Sequence, residues 1–306
     1  MDKLTVDIII PTYKPDIKFE KLIRGLKRQS YPIENIYVIH TKGGRFPWET
    51  AGLDGRVQVT EIGESSFDHG GTRRMAAGLC ASDLFICMTQ DAVPADGGLV
   101  ESLVKAFADE KVACAYARQL PDKGCGVIEG YTRSFNYPPR GCVKDLTSVG
   151  RMGIKAFFCS NVCAAYRRSY YEEQGGFLER AVFNEDMIMA ARLLKAGYKC
   201  AYAADAKVMH SHNYTCMQQL RRNFDLAASQ ADNPDVFGGI KSESEGLRLV
   251  KQTAAHLIHI KKPWLVAELI VKSGFKFLGY RLGRNYRRLP HSLLMRLTSN
   301  PHYWEK

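Results

Sequence analysis

Leu84-Phe85-Ile86-Cys87-Met88 runs directly into Thr89-Gln90-Asp91-Ala92, and this junction decides the fold. An apolar run without polar alternation describes a strand buried on both faces, as in a parallel sheet covered by helices. Such a sheet gathers its ligands beyond the carboxyl ends of its strands, and Asp91 falls there. Two further clusters share that placement. Phe183-Asn184-Glu185-Asp186 opens a helix, and His210-Ser211-His212 follows a strand. Taken together, the three predict metal-assisted group transfer with a carboxylate base.

Working outward, strands alternate with helices over short connections. Leu4–Ile10 is a β-branched strand closed by Pro11-Thr12-Tyr13-Lys14-Pro15, and a helix follows over Phe19–Gln29. Further strands are expected at 36–39, 57–62, 84–88, 112–117, 157–166, 198–203 and 206–209, and helices at 72–81, 98–109, 168–174 and 186–196. This alternation predicts an α/β fold, a mostly parallel sheet flanked by helices. Gln119–Arg151, rich in Pro and Gly, reads as a substrate-facing loop system or an inserted excursion. The final third is helical. Leu247, Val250, Ala254, Leu257 and Ile258 share one face. Beyond Pro263, Ala267, Val271, Phe275, Leu278 and Leu282 form an apolar stripe, with Glu268, Lys272 and Lys276 opposite.

At 306 residues the chain can bury a full core. Its net charge of +11 is concentrated at one end, since Lys251–Lys306 holds 11 Lys/Arg against Glu268 and Glu305. A basic amphipathic helix with Trp264 near its start fits an anionic membrane surface; a helix packed on the catalytic domain with solvated charges is the alternative. We therefore expect a catalytic domain over 1–225 and a helical basic C-terminal extension over 226–306. Nine scattered cysteines without a CxxC pair read as free thiols of a reducing cytoplasm. Met1-Asp2-Lys3 leads straight into a strand, without a signal-peptide pattern, and no apolar run approaches the ~20 residues of a membrane span. The turn after the first strand lacks GxGxxG, which argues against a dinucleotide-dependent dehydrogenase. The basic residues form no nucleic-acid-binding module, so no nucleic acid partner is expected.

Several residues carry candidate chemistry. Asp91 is placed to hold a hard divalent ion whose remaining ligands come from phosphates, or else to cap the next helix. His210 and His212 alternate in direction along an extended chain, so only one of them faces a common site. Glu185 and Asp186 suit the positive end of a helix dipole in any protein, and one of them could take a proton from an attacking hydroxyl. Gly175-Gly176 would let the backbone turn to bring that pair under a substrate. Phe67-Asp68-His69-Gly70-Gly71-Thr72-Arg73-Arg74 has the components of a diphosphate cradle.

Taken in order over residues 4–225, these motifs resemble the family 2 glycosyltransferases of the GT-A fold. Ile8-Ile9-Ile10-Pro11-Thr12-Tyr13 is similar to that family's opening strand and nucleotide-binding turn. Thr89-Gln90-Asp91 lies where the family has its Asp-x-Asp motif, Asn184-Glu185-Asp186 matches its Glu-Asp motif, and His210 falls at a metal-ligand histidine. Phe67–Arg73, Thr89–Ala92, Ala117–Pro121, Phe135–Pro138, Ser160-Asn161 and His210–His212 look most like bacterial dTDP-rhamnosyltransferases. The resemblance implies an inverting transferase of surface polysaccharide synthesis, moving L-rhamnose from dTDP-β-L-rhamnose to a lipid-linked glycan at the cytoplasmic face of the membrane. Asp186, beside Glu185, would be the base. Asp91 and His210, with His212 second to it, would hold Mg²⁺ or Mn²⁺. Pro11, Thr12, Tyr13, His69, Gly70, Arg73, Gln90 and Asn161 would contact substrate. Two departures stand out: Thr89 replaces the first Asp of the metal motif, and Ile39-His40-Thr41-Lys42-Gly43-Gly44 lacks the acidic residue that usually follows the second strand. Another nucleotide sugar, or a non-catalytic glycan-binding scaffold, is the alternative.

Overall fold

The computed structural model describes residues 3–52, 54–238 and 243–305; Lys306 of the basic tail lies outside them. Elements run β1 (Val6–Tyr13), α1 (Ile17–Lys27), β2 (Ile36–Thr41), α2 (Trp48–Gly52), β3 (Val57–Ile62), α3 (His69–Ala77), β4 (Leu84–Met88), β5 (Val93–Pro94), α4 (Leu99–Lys105) and β6 (Val112–Leu120). Next come α5 (Val127–Asn136), β7 (Cys142–Lys144), α6 (Ser148–Met152), β8 (Cys163–Arg167), α7 (Arg168–Glu173), α8 (Glu185–Lys195) and β9 (Lys199–Met209). The chain closes with α9 (Cys216–Asp232), α10 (Pro234–Phe237), α11 (Glu243–His259), α12 (Leu265–Arg284), α13 (His291–Leu297) and α14 (Pro301–Trp304).

The strands form one sheet in the order β3-β2-β1-β4-β8-β6-β9-β5, with β7 paired to β9. β1, β2, β3 and β4 are parallel, and so are β6 and β9; β8 lies antiparallel between β4 and β6. Alternation along the central strands explains the layers. Val6, Ile8 and Ile10 of β1 and Leu84, Ile86 and Met88 of β4 enter one core, against Phe19, Leu22, Ile23 and Leu26 of α1. Ile9, Phe85 and Cys87 enter the other, against Ile188, Met189 and Leu193 of α8. Burial on both faces is what an unbroken apolar run encodes. The carboxyl ends of β1 and β4 and the end of β9 bring Tyr13, Gln90–Asp91 and His210 to one edge.

Three sequence expectations change. Gln119–Arg151 is not loop alone: it holds α5, β7 and α6, with α5 half-exposed and no fully buried residue to mark its period. The strand expected over Phe157–Tyr166 begins only at Cys163, because residues 153–157 coil into a 3₁₀ turn. The boundary expected between 225 and 226 falls inside α9, so one helix runs across that position.

That segment is bolted to α9. A Cβ on Gly279 would stand 2.2 Å from the Leu220 carbonyl oxygen, and one on Gly283 the same distance from that of Phe224, so α12 crosses α9 at backbone contact. Leu220, Phe224, Leu294 and Leu297 form a third apolar cluster. Buried Asp225 accepts from Thr298 Oγ1 at 2.6 Å and from the Ser299 amide at 2.8 Å. α12 exposes several apolar side chains while some of its charged ones turn towards the protein. Glu268, Lys272 and Lys276 line an internal cavity, whereas Trp264, Ile270, Val271, Phe277 and Leu278 are exposed. Among the described residues no helix is long and apolar enough to cross a membrane.

Candidate active site

Asp91 sits just past β4, and its carboxylate lies 3.2 Å from His212 Nε2 and 3.6 Å from His210 Nε2. The two Nε2 atoms are 3.0 Å apart. The expectation that the histidines face opposite ways fails, because strand pairing stops at Met209 and the chain turns before His212. His212 thus joins the site on equal terms with His210. One carboxylate oxygen and two imidazole nitrogens, all within 4.8 Å of one another, make a donor set that suits a divalent ion such as Mn²⁺.

The protonation pattern fits a cation as well. His210 Nδ1 lies 3.0 Å from Gln119 Oε1, an oxygen that only accepts, so Nδ1 carries the proton and Nε2 presents a lone pair. Burial drives the His210 imidazole down to about 3, against the opposing pull of Asp91, which keeps it neutral. Burial alone would raise Asp91, but the His212 hydrogen bond holds it well below the usual carboxylate range.

The carboxylate pair stands at the start of α8. Asn184, at φ +62°, bends the chain into the helix in a left-handed conformation that asparagine tolerates better than most residues, and its Nδ2 donates to the Leu226 carbonyl at 3.0 Å. Gly175 and Gly176, at φ +76° and +73°, supply the sharp turn upstream. Asp186 accepts from the Asn161 amide at 3.0 Å and from the Met187 amide at 2.8 Å. Burial first, and the Glu185 carboxylate second, push its acid up to about 7, the range a general base needs. Glu185 Oε1 in turn accepts from Asn161 Nδ2 and Arg73 Nη1, each at 3.2 Å.

A single polar network joins the two halves. Gln119 Oε1 meets His210 and also accepts from Arg133. Its Nε2 donates to Tyr137 Oη at 2.6 Å and to Ser160 Oγ at 3.0 Å. Ser160 precedes Asn161, whose Oδ1 accepts from Tyr166 Oη at 2.8 Å and whose amides hold Glu185 and Asp186. Gln119 and Ser160 stood within recognisable sequence motifs, yet only the fold shows them as the links.

Other expected substrate contacts take structural parts. Gln90 clasps the backbone of Tyr13 from both sides, accepting from its N–H at 2.8 Å and donating to its carbonyl at 3.0 Å. It therefore shapes the turn holding Pro11, Thr12 and Tyr13. Thr12 Oγ1 pairs with His40 Nδ1 at 3.1 Å, and Tyr13 Oη donates to Glu64 at 2.7 Å. Glu64 brings a carboxylate to this corner from after β3; nothing in its linear context marks it. The cradle expected at Phe67–Arg74 is plugged. Asp68 accepts from the Gly70, Gly71 and Ala181 amides, and Cβ atoms on Gly70 and Gly71 would strike the Leu178 and Glu179 carbonyl oxygens. These glycines seat α3 against the loop before α8. Arg73 is committed to Glu185, and His69 packs between Phe67 and Phe183.

Sheet order and site define a glycosyltransferase of the GT-A fold, an enzyme. The chain belongs to glycosyltransferase family 2: the family described as "Glycosyltransferase like family 2" matches residues 4–226. It is 35% identical over 305 residues to the O-antigen chain rhamnosyltransferase RfbN of Salmonella typhimurium, covering 98% of this chain and 96% of that one. It is 40% identical over 250 residues to the O-antigen chain rhamnosyltransferase WbaN of Salmonella anatum, covering 80% and 78%. Among solved structures it resembles the mannosyltransferase PcManGT of Pyrobaculum calidifontis in complex with GDP-Man and Mn²⁺, with TM-score 0.57, 14% identity and 99% and 87% of the two chains covered. S. aureus TarS 1–349 in complex with UDP-GlcNAc follows at TM-score 0.52 and 13% identity, with 93% and 92% covered. At such identities the likeness concerns the fold alone.

Proposed function

We propose that this enzyme transfers L-rhamnose from dTDP-β-L-rhamnose to a hydroxyl of a lipid-linked glycan in O-antigen synthesis, with inversion at the anomeric carbon. The observation that carries the reading is the network from His210 through Gln119 and Ser160 to Asn161 and the Asp186 carboxylate. It ties a cation-competent cluster to a base raised into the neutral range. The rhamnosyltransferase relatives support the sugar.

Asp91, His210 and His212 would hold Mg²⁺ or Mn²⁺, which when bound offsets the negative charge gathering on the departing nucleoside diphosphate. Asp186 takes the proton of the acceptor hydroxyl as that oxygen attacks the anomeric carbon. The new C–O bond forms while the bond to the diphosphate oxygen breaks on the opposite face, and the electron pair leaves with the nucleotide. Asn161 and Met187 aim the Asp186 oxygens, and Arg73 with Asn161 holds Glu185 in place beside it. The turn at Thr12–Tyr13, with His40 and Glu64, would seat the nucleoside.

The outward face of α12, with Trp264, Ile270 and Phe277 exposed and Arg281 and Arg284 beyond them, would rest on the anionic cytoplasmic leaflet and make the enzyme peripheral. Turnover of a nucleotide-sugar panel with and without Mg²⁺ or Mn²⁺ tests the proposal. Release of dTDP from dTDP-rhamnose that stops on chelation is expected; selective turnover of another donor would overturn the sugar.

A further inference from the structure

A cavity of about 1010 Å³ lies between α5, α9, α11 and α12, at the upper end of the ~300–1,000 Å³ usual for small-molecule sites. Its walls are mainly apolar, with Val127, Ile128, Phe158, Leu226, Val250 and Leu269 among them. One end reaches the catalytic site, since His212, Tyr214 and Met187, the residue after Asp186, line it. Leu247 and Phe277 line it while remaining more than half exposed, at 57% and 58%, so it opens beside the outward apolar face of α12.

Charge is unevenly placed along it. Glu268 pairs with Lys272 at 2.6 Å, and Glu129 with Arg133 at 2.6 Å. Lys276 lines the cavity with no salt bridge or hydrogen bond among the described residues. Burial lowers its affinity for a proton; the Glu129 carboxylate opposes this, and Lys272, Arg133 and Arg222 lower it further. The Arg222 guanidinium lies over the rings of Phe183 and Tyr214, at 4.6 and 5.7 Å, between the carboxylate motif and the cavity. Glu268 and Glu129 are thus taken by Lys272 and Arg133, which leaves Lys276 as the lining cation without a paired carboxylate, and Arg222 stands close by against Tyr214. A buried ammonium without a partner is costly unless an anion reaches it.

We infer that this cavity holds the hydrocarbon chain of the lipid-linked acceptor, with Lys276 and Arg222 meeting the phosphate or diphosphate that joins chain to glycan. The inference rests on the proposed acceptor class and adds where its lipid lies. A chain lying along Val250 and Leu269 would bring its phosphate to Lys276, and its glycan would emerge beside His212 and Met187. That path would place the first sugars at the Asp186 carboxylate.

Binding of farnesyl diphosphate, farnesol and inorganic pyrophosphate to the full chain, by calorimetry below micellar concentrations and without donor, tests it. Farnesyl diphosphate should bind at least tenfold more tightly than either fragment. Lys276→Met should bring it close to farnesol, and Val250→Trp and Ser273→Trp, which fill the cavity from opposite helices, should each weaken it tenfold or more. Thermal melting identifies a variant that has not folded, in which case the other tryptophan decides. Farnesyl diphosphate binding no better than pyrophosphate, or unaffected by a folded tryptophan variant, would overturn the inference. No sugar turnover enters the readout. Lipid binding with no transfer from any donor would therefore count against the proposed function and leave the cavity assignment standing.

Discussion

Asp186→Asn separates catalysis from stability in a way a structural role could not mimic. The amide keeps the shape but takes no proton, and its single oxygen can accept from only one of the Asn161 and Met187 amides, which reach different Asp186 oxygens. Positioned general bases contribute about 10²–10⁴-fold, and rhamnosyl transfer should fall by that much. The stability effect runs the other way. Asp186 has its acid raised from 3.8 to about 7 by burial and by Glu185. Below about pH 3.8 both folded and unfolded chains hold the proton and the carboxylate costs nothing. As pH rises through 7 the folded chain must ionise a buried group that the unfolded chain ionised earlier, and the cost reaches a few kcal/mol at ~1.4 kcal/mol per pH unit. Urea titrations at pH 5 and pH 8 should therefore show Asp186→Asn gaining stability relative to wild type as pH rises, beyond the constant penalty of the lost hydrogen bond. A variant retaining activity within tenfold would refute the base assignment. A stability difference from wild type that does not shift in the variant's favour between pH 5 and pH 8 would refute the burial argument, whatever its activity.

In wild type the transfer rate should fall about tenfold per pH unit below 7, as Asp186 gains its proton. Glu185→Gln, which removes the second cause of that raised acid, should move the fall to lower pH; a limb that stays or moves upward tells against the coupling. Gln119→Ala should weaken Mn²⁺ binding, read by calorimetry, by about 10–100-fold through loss of the His210 partner, and EDTA should abolish transfer. Unaltered Mn²⁺ affinity would show that Gln119 does not orient the imidazole. Gly283→Val must push against the Phe224 carbonyl and should cost about 1–3 kcal/mol in urea unfolding; a neutral result would mean that α12 and α9 are not in backbone contact. Replacing Trp264, Ile270 and Phe277 by Ser should cut sedimentation with anionic vesicles by tenfold or more, and unchanged sedimentation would dismiss the α12 face as the membrane contact.

Much of the fold could be read locally because local and global requirements coincide there. The unbroken apolar runs of β1 and β4, and Gly197 at φ +91° closing α8, each state their own structure. The acidic and imidazole residues of the site could be found for the same reason, since strand ends and helix starts are visible in a linear chain. What could not be read depends on the turn taken after an element ends. Strict alternation made His210 and His212 opposed, and the end of pairing at Met209 makes them neighbours. Asp68-His69-Gly70-Gly71 has the composition of a phosphate loop. Its glycines instead accommodate the carbonyls of Leu178 and Glu179, a contact more than a hundred residues away in sequence.

The C-terminal helix shows the limit most sharply, because amphipathicity gives two faces without saying which one water sees. Facing a protein core, the stripe at Val271 and Leu278 would be buried and Lys276 solvated. Here Gly279 and Gly283 fix the rotation of α12, since only that side of the helix lets its backbone meet α9. Once they do, Lys272 and Lys276 must point inward and Ile270, Val271, Phe277 and Leu278 outward. An exposed apolar face of that extent is unfavourable in water and is the mark of a surface that meets another phase or partner. Lys276 carries the complementary cost, a positive charge turned inward without a salt bridge, whereas Lys272 is paired with Glu268. Both costs are relieved at once by a ligand that is apolar along its length and anionic where it meets the sugar. The two small glycines thus decide how a lipid-bound acceptor would be received, through the rotation they impose and without touching it.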